Sequence, residues 1–350
     1  MYGKGGRGWR GAVAVVLVAS AVLAGCSSGG GANGGGEDGD SGAGPAPRDS
    51  GAAVGQRPKD HDPYWVNPRG KAAGALAAYR ADGKEREARL LARIAREPVG
   101  QWLTPEGAGR EARGFTEAAA RADRTALLVL YNIPHRDCGQ YSGGGAADGN
   151  AYRAWIDEVA AGIGDRPAAV VLEPDALLHL VDGCTPGEFH EERYDLLKGA
   201  IEKLGALPRT AVYLDAGNPG WQRPEALAEP LRRAGIGAAD GFAVNVSNFE
   251  TTARSLSYGK ELSRLAGGKH FVIDTSRNGN GPYRQGDPGE RWCNPPGRAL
   301  GEPPTTRTAD PLADAYLWVK RPGESDGTCK GGPKAGEWWG DYALGLAGQP

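Results

Sequence analysis

The chain has 350 residues, a formal net charge of −2 and a 40% hydrophobic fraction. That is enough for one large domain or two ordinary ones, each with a substantial core. No concentrated basic surface is evident, and binding to nucleic acid needs one, so that class of partner is excluded.

Residues 1–25 carry Lys4, Arg7 and Arg10, then the apolar run GAVAVVLVASAVLAG, with no acidic residue. This is the pattern of a secretory signal peptide, its apolar part too short for a comfortable membrane span. The segment ends in Leu23, Ala24, Gly25 and Cys26, which resembles the lipobox of bacterial lipoproteins. The resemblance implies cleavage before Cys26, a lipid on its sulfur and attachment to a membrane; a plain secretory peptide is the alternative. Loss of the three basic residues takes the formal charge from −2 to −5, so the exported protein is mildly acidic. Residues 26–60 lack the apolar content to fold and form a flexible tether. The tether would hold a folded domain, residues 61–350, away from the membrane.

Organised sequence starts near DPYWVNP (62–68), and a polar, alanine-rich segment over about 71–96 predicts a helix that Gly74 and Gly83 weaken. The chain then alternates. Apolar runs at 126–131, 168–172, 210–214, 241–246, 271–273 and 315–319 predict strands, with helices over about 149–163, 190–204, 223–234 and 253–266. Strands alternating with helices mean crossover units and a parallel sheet. No fixed-period repeat is visible, which argues against a solenoid.

The strands end in YNIPHRDC, EPDALL, DAGNPGW, NVSNF, DTSRNGNG and WVKRPGESDG. Polar, ionisable and glycine-rich residues thus gather at the C-terminal end of every strand, where a parallel barrel keeps its active site. A doubly wound sheet also binds ligands at that edge. No dinucleotide fingerprint stands in the strand-to-helix context such a sheet would need, and this favours the barrel.

Three carboxylates draw attention. Asp175 follows the buried run AAVVL; an apolar wall there would raise its pKa and keep a proton available, whereas the competing role is an N-cap for the helix after it. If Asp137 lies nearby, a shared negative site would push one of the two pKa values up, although Arg136 beside it offers a simple ion pair. Asp326 sits in a glycine-rich loop, as a base, as a group positioning water, or as an exposed turn residue. Tyr131, Trp221, Trp292 and Trp65 lie at strand ends or in loops and suit the apolar faces of sugar rings, with Asn, Lys and Glu for the hydroxyls. Trp338 and Trp339 are assigned to packing. Four cysteines remain besides Cys26: Cys138, Cys184, Cys293 and Cys329. An even number in an exported chain favours two disulfides, with three pairings open, over a zinc site, for which no ligand spacing is present.

Seven segments together carry a family resemblance: LVLYNIPHRDCG (128–139), VLEPDALLHL (171–180), YLDAG (213–217), NVSN (245–248), DTSRNGNG (274–281), WCNPPGR (292–298) and LWVKRPGESDG (317–327). In this order they resemble glycoside hydrolase family 6, which contains endoglucanases and cellobiohydrolases. The resemblance implies a distorted, TIM-like parallel β/α barrel of seven strands and inverting hydrolysis of β-1,4-glucan in cellulose or a related polymer, with no cofactor or metal and a monomeric enzyme. It makes Asp175 the general acid, Asp137 the carboxylate that tunes it and Asp326 the candidate base. Tyr131 and Ser142 fall near the distorted sugar and the water, and Trp221, Asn248, Trp292, Lys320 and Glu324 fall on sugar-binding positions. The implied disulfides are Cys138 with Cys184 and Cys293 with Cys329. Asn218 stands where the family often has His, which removes a titratable group and keeps a hydrogen-bonding one. The segments from Asn248 to Phe271 and after Asp326 are short, which favours an open cleft and internal cutting over release from chain ends. A cellobiohydrolase and an inactive glucan-binding lipoprotein are the competing functions, and the location is the outer face of the cell membrane or the medium.

Overall fold

Strands buried on both faces need helices outside them, and the sequence supplies one after almost every strand. The computed structural model describes residues 63–349; the expected signal peptide, Cys26 and the tether lie outside the described residues. Seven strands run parallel and in sequence order: β1 (Gln101–Trp102), β2 (Ala126–Leu130), β3 (Ala168–Leu172), β4 (Thr210–Asp215), β5 (Gly241–Val244), β6 (His270–Asp274) and β7 (Ala313–Leu317). The sheet curls until its edges approach. Gly100 N–H, just before β1, donates to the Trp318 carbonyl just after β7 at 2.9 Å, and Trp102 Nε1 donates to the Val319 carbonyl at 2.9 Å. A Cβ on Gly100 would lie 2.6 Å from that Val319 oxygen, so the seam admits only glycine there. The expected distorted β/α barrel is the fold found.

The helices are α1 (Lys71–Ala81), α2 (Glu85–Ala95), α3 (Ala108–Arg121), α4 (Gly149–Ile163), α5 (Leu178–Val181), α6 (His190–Gly205), α7 (Pro224–Arg233), α8 (Thr252–Leu265) and α9 (Gly340–Gly348). The single helix expected over 71–96 is two, because the chain turns at Gly83, whose φ is +69°. The sequence reading has no counterpart for β1, α3 or α9. Strand β1 is only two residues long, and the buried face of α3 is mostly alanine, with Phe115 its one large apolar residue.

Alternation with period two sorts each strand between two cores. Ala168, Val170 and Leu172 face outward with Leu128, Leu130, Val212 and Phe242 against α3, α4 and α6. Ala169 and Val171 face inward with Val129, Ala211, Tyr213, Ala243, Val272 and Ala315. Four of these inward residues are alanines, as a narrow interior requires. A third cluster packs α1, α2 and α9 around Trp318 and includes Trp338, in line with the packing role expected of it.

Backbone strain marks one edge of this frame. Asp123, His135, Asp137, Cys138, Glu173, Asp175, Asn245, Ser247, Asn294 and Lys330 are the non-glycine residues with positive φ among the described residues. All but Asp123 lie in segments that leave the C-terminal end of a strand. Such conformations persist only where surrounding contacts over-determine them, and they cluster at functional sites.

Candidate active site

Asp175 stands three residues beyond β3, in the left-handed conformation at φ +68°. Its N–H donates to Asp215 Oδ2, at the end of β4, at 2.9 Å. The N-cap of α5 is Leu177 and receives no side-chain bond, so the capping role considered for Asp175 is not the one it plays. Burial pushes the Asp175 carboxyl well above the ordinary carboxylate range, and the negative charges of Asp215, Asp137 and Asp182 push it further, against the pull of Lys320. The direction of this shift is the one the sequence reading expects for an acid at 175, and its principal carboxylate partner is Asp215, which that reading did not single out.

Asp137 opens a short turn, Asp137–Gly139, in which Asp137 and Cys138 have φ of +53° and +47°. Its Oδ2 accepts the Ser142 N–H at 2.6 Å. Burial raises its pKa, while Ser142, His179 and Arg136 pull it back. Arg136 directs its hydrogen bonds elsewhere: Nε donates to the Ser142 carbonyl at 2.8 Å, Nη1 donates to the Tyr131 carbonyl, and the guanidinium lies 4.8 Å from the centre of the Tyr131 ring. Tyr131 meets Trp102 edge-on at 5.6 Å. Burial and the charges of Asp175 and Asp137 push the pKa of its hydroxyl up.

Asp326 is the opposite case. The exposed turn residue considered from sequence is 6% exposed. Arg277 Nη1 donates to both of its oxygens at 2.9 Å, Lys320 Nζ lies 3.1 Å away, and Asn294 N–H donates at 3.0 Å. Burial alone would raise its pKa; the charges of Arg277 and Lys320, with the hydrogen bonds from Arg277 and Asn294, outweigh burial and hold it below the ordinary range. One carboxyl is therefore shifted up and one down on the same edge, with Lys320 facing both.

The other expected residues occupy that edge with defined partners. Trp221 Nε1 donates to Asp182 Oδ2 at 3.0 Å and the Trp221 ring meets His179 at 5.3 Å. Trp292 Nε1 donates to the Gly289 carbonyl at 2.9 Å, and Tyr141 approaches its ring at 6.1 Å. Asn218 Oδ1 accepts the Gly220 N–H at 2.9 Å and so builds its own turn. Asn248 Oδ1 accepts the Phe249 N–H at 2.9 Å. Trp65, in contrast, packs edge-on against Phe115 at 4.9 Å and joins the outer core. Glu324 is buried, with Oε1 2.8 Å from Lys71 Nζ and 3.0 Å from Arg321 Nη1. It lines a side pocket with Asn67, Gln101 and Trp338.

The disulfides are Cys138–Cys184 and Cys293–Cys329. The first ties the Asp137 turn to the loop after α5, and the second ties the Trp292 segment to the loop of Asp326. Cys138, Cys184 and His179 bring ligand atoms within 4.8 Å of one another. The two sulfurs are bonded to each other, however, and metals bind thiolates.

Asp215 is the largest omission from the sequence reading. It is 1% exposed, and burial pushes its pKa up to about 7 against the N–H groups of Asp175, Gly217 and Ala216. Its signal was present, since it ends an apolar strand as directly as Glu173 does. Asp182 also escaped notice; it anchors Trp221 and accepts the Cys184 N–H at 2.9 Å.

A parallel barrel whose strand ends bring raised carboxyls and a lowered one together has the layout of a general acid–base enzyme. The chain belongs to glycosyl hydrolases family 6, whose model matches residues 59–350. It is 44% identical over 294 residues to Endoglucanase A of Cellulomonas fimi, covering 83% of this chain and 62% of the relative. It is 35% identical over 250 residues to a probable 1,4-beta-D-glucan cellobiohydrolase C of Aspergillus fumigatus, covering 61% of this chain and 55% of the relative. It therefore spans less than two thirds of the length of either. Among solved structures, the endoglucanase Cel6 from Mycobacterium tuberculosis, in complex with methyl-cellobiosyl-4-deoxy-4-thio-β-D-cellobioside, superimposes with a TM-score of 0.77 at 47% identity, covering 82% of this chain and 98% of that one.

Proposed function

We propose that this protein is an inverting endo-β-1,4-glucanase that cuts cellulose or a related β-glucan. The observation that carries the proposal is the placement of Asp175 just past β3, its N–H on Asp215 at 2.9 Å, where burial and the charges of Asp215, Asp137 and Asp182 push its carboxyl up. In the proposed reaction Asp175 gives its proton to the oxygen joining two glucose units as that bond breaks. A water attacks the anomeric carbon from the opposite face, which inverts it. Asp137 tunes the acid, and Ser142, whose N–H Asp137 holds, lies with Tyr131 beside the reacting sugar. Asp326, anionic and enclosed by Arg277 and Lys320, takes the proton of the attacking water through an intervening water. Its depressed pKa makes it a weak base, so its charge also serves to stabilise the positive charge that develops on the sugar. Trp221, Trp292, Asn218, Asn248, Lys320 and Glu324 hold the glucan along the strand ends.

Internal cutting is favoured by the connection after β5, where α8 begins at Thr252, four residues past Asn248, and leaves little chain to roof a tunnel. The Aspergillus relative keeps a cellobiohydrolase as the second reading. Fast loss of viscosity of a soluble cellulose derivative relative to reducing ends supports the endoglucanase, and slow loss supports the other. Asp175→Asn tests the acid: it should lose most activity on unactivated cello-oligosaccharides and much less on substrates with a good leaving group, which needs no proton. Equal loss on both would show that Asp175 is not the acid, and a pure protein that binds glucan without cutting it would be a binding lipoprotein.

The two disulfides fit an oxidising compartment outside the cytoplasm. We read Cys26 as the lipidated residue that attaches the enzyme, as a monomer, to the outer membrane face. Partition of the full chain into detergent, abolished by Cys26→Ala, is the check.

A further inference from the structure

Two buried charged side chains beside the site have no part in the reaction above. Glu173 is 0% exposed and Arg193, on α6, is 2% exposed. The Glu173 carboxylate accepts the Asn132 N–H at 3.0 Å to each oxygen and the Ile133 N–H at 2.9 Å. Arg193 Nη2 donates to the carbonyls of Pro134 at 2.8 Å and His135 at 3.0 Å. Of the four consecutive residues 132–135, the first two are thus held by their N–H groups to Glu173 and the last two by their carbonyls to Arg193. They are the only residues between Tyr131 and Arg136, which leads directly into Asp137.

Arg193 reaches the other way as well. Its Nη1 donates to Thr185 Oγ1 at 2.6 Å and to the Ala176 carbonyl at 3.3 Å, on either side of α5. The same guanidinium therefore touches the segment leading to Asp137 and the residue that follows Asp175. Burying two charges is costly, and an apolar pair of similar volume would stabilise a fold at least as well. Each feels the other's charge, yet both direct hydrogen bonds to the backbone that leads into the left-handed residues at His135, Asp137 and Cys138. That expenditure secures a position.

We propose that Glu173 and Arg193 are positioning residues for this reaction, clamping the backbone between Tyr131 and Asp137 so that Asp137 stays at a set distance from Asp175. The proposal rests on Asp175 being the acid. Asp215, Asp137, Asp182 and Lys320 face Asp175, Arg136 and His179 face Asp137, and Tyr152, Arg136, Arg193 and Tyr131 face Glu173, whose carboxyl burial pushes up to about 7. Loosening the clamp withdraws Asp137 from the first of these groups. Asp175 then gives up its proton at lower pH.

The test uses the full chain with Glu173→Gln, which keeps the shape and loses one acceptor, and Arg193→Lys, which keeps the charge and reaches fewer carbonyls. The expected result is a loss of kcat of about tenfold to a hundredfold on an unactivated cello-oligosaccharide, as for a misplaced group. KM changes little, an aryl cellobioside with a good leaving group loses much less, and the alkaline limb of the pH profile moves toward acid. Equal loss on both substrates with the pH profile in place, in whichever variant folds, overturns the clamp and leaves a purely structural role. Asp175→Asn measured alongside separates the two possible failures. If it loses both substrates equally, the acid assignment has failed; if it behaves as an acid variant while the clamp variants keep the parental pH profile, only the clamp has failed.

Discussion

Replacing Asp215 by Asn removes one negative charge and keeps an oxygen able to accept the Asp175 N–H, now 2.9 Å away. At an effective dielectric constant of about 20, two ionised carboxyls about 5 Å apart repel by about 3 kcal/mol. That corresponds to roughly two pKa units on the second proton lost by the pair. Asp215 itself titrates at about 7, so its full charge is present only above that pH. We therefore expect the alkaline limb of kcat/KM to move toward acid by about one to two units, with the rate at pH 5 close to that of the parent and the rate at pH 8 at least about tenfold lower. Release of reducing ends from a soluble cello-oligosaccharide, followed from pH 4 to 9, reads both limbs. An alkaline limb that stays in place would refute the coupling of Asp215 to the acid. A thermal melt adds an independent sign. A carboxyl whose folded pKa is raised stabilises the fold below its unfolded pKa, and that contribution is lost as pH rises through about 7. Asp215→Asn has no charge to bury, so it should melt above the parent at pH 8 and not at pH 4.

Asp326→Asn strips the counter-charge from Arg277, which is fully buried, and from Lys320. Breaking such a group by removing one partner costs about 3–5 kcal/mol, or roughly 6–20 °C in melting temperature for a domain of this size. Because the pKa of Asp326 is lowered on folding, the gap between variant and parent should close as pH falls through its folded pKa, and equal melting temperatures at pH 7 would show the cluster to be structurally idle. Cutting the first disulfide with Cys138→Ser and Cys184→Ser releases a closure over 46 residues, worth about 4 kcal/mol in chain entropy. Since Cys138 adjoins Asp137, activity should fall by more than the change in folded fraction explains; activity that tracks the folded fraction would place the disulfide outside the site.

Much of the frame was legible because it is local. AAVVL and ALLVL are apolar on both faces whatever surrounds them, and a chain that repeats such runs between helices has few parallel architectures open to it. The family segments likewise named Asp175, Asp137 and Asp326, and they paired the cysteines. Two features without a local signature were missed, a two-residue β1 and an alanine-faced α3; Asp215 has a local signal at the end of an apolar strand, but its importance lies in a neighbour 40 residues earlier.

The apolar run before Asp175 points to a raised carboxyl, but which charges set each carboxyl's ionisation is decided by the tertiary structure. Asp175 and Asp326 are chemically identical and both follow a strand through a proline- or glycine-bearing turn. Parallel register sets the first beside Asp215, Asp137 and Asp182, and it sets the second against Arg277, 49 residues away. Sequence determined which residues reach the carboxyl edge of the sheet. The order in which strands lie side by side decided which charges meet there, since Coulomb energy depends on separation in space and on burial, and neither is written in the spacing of residues along a chain.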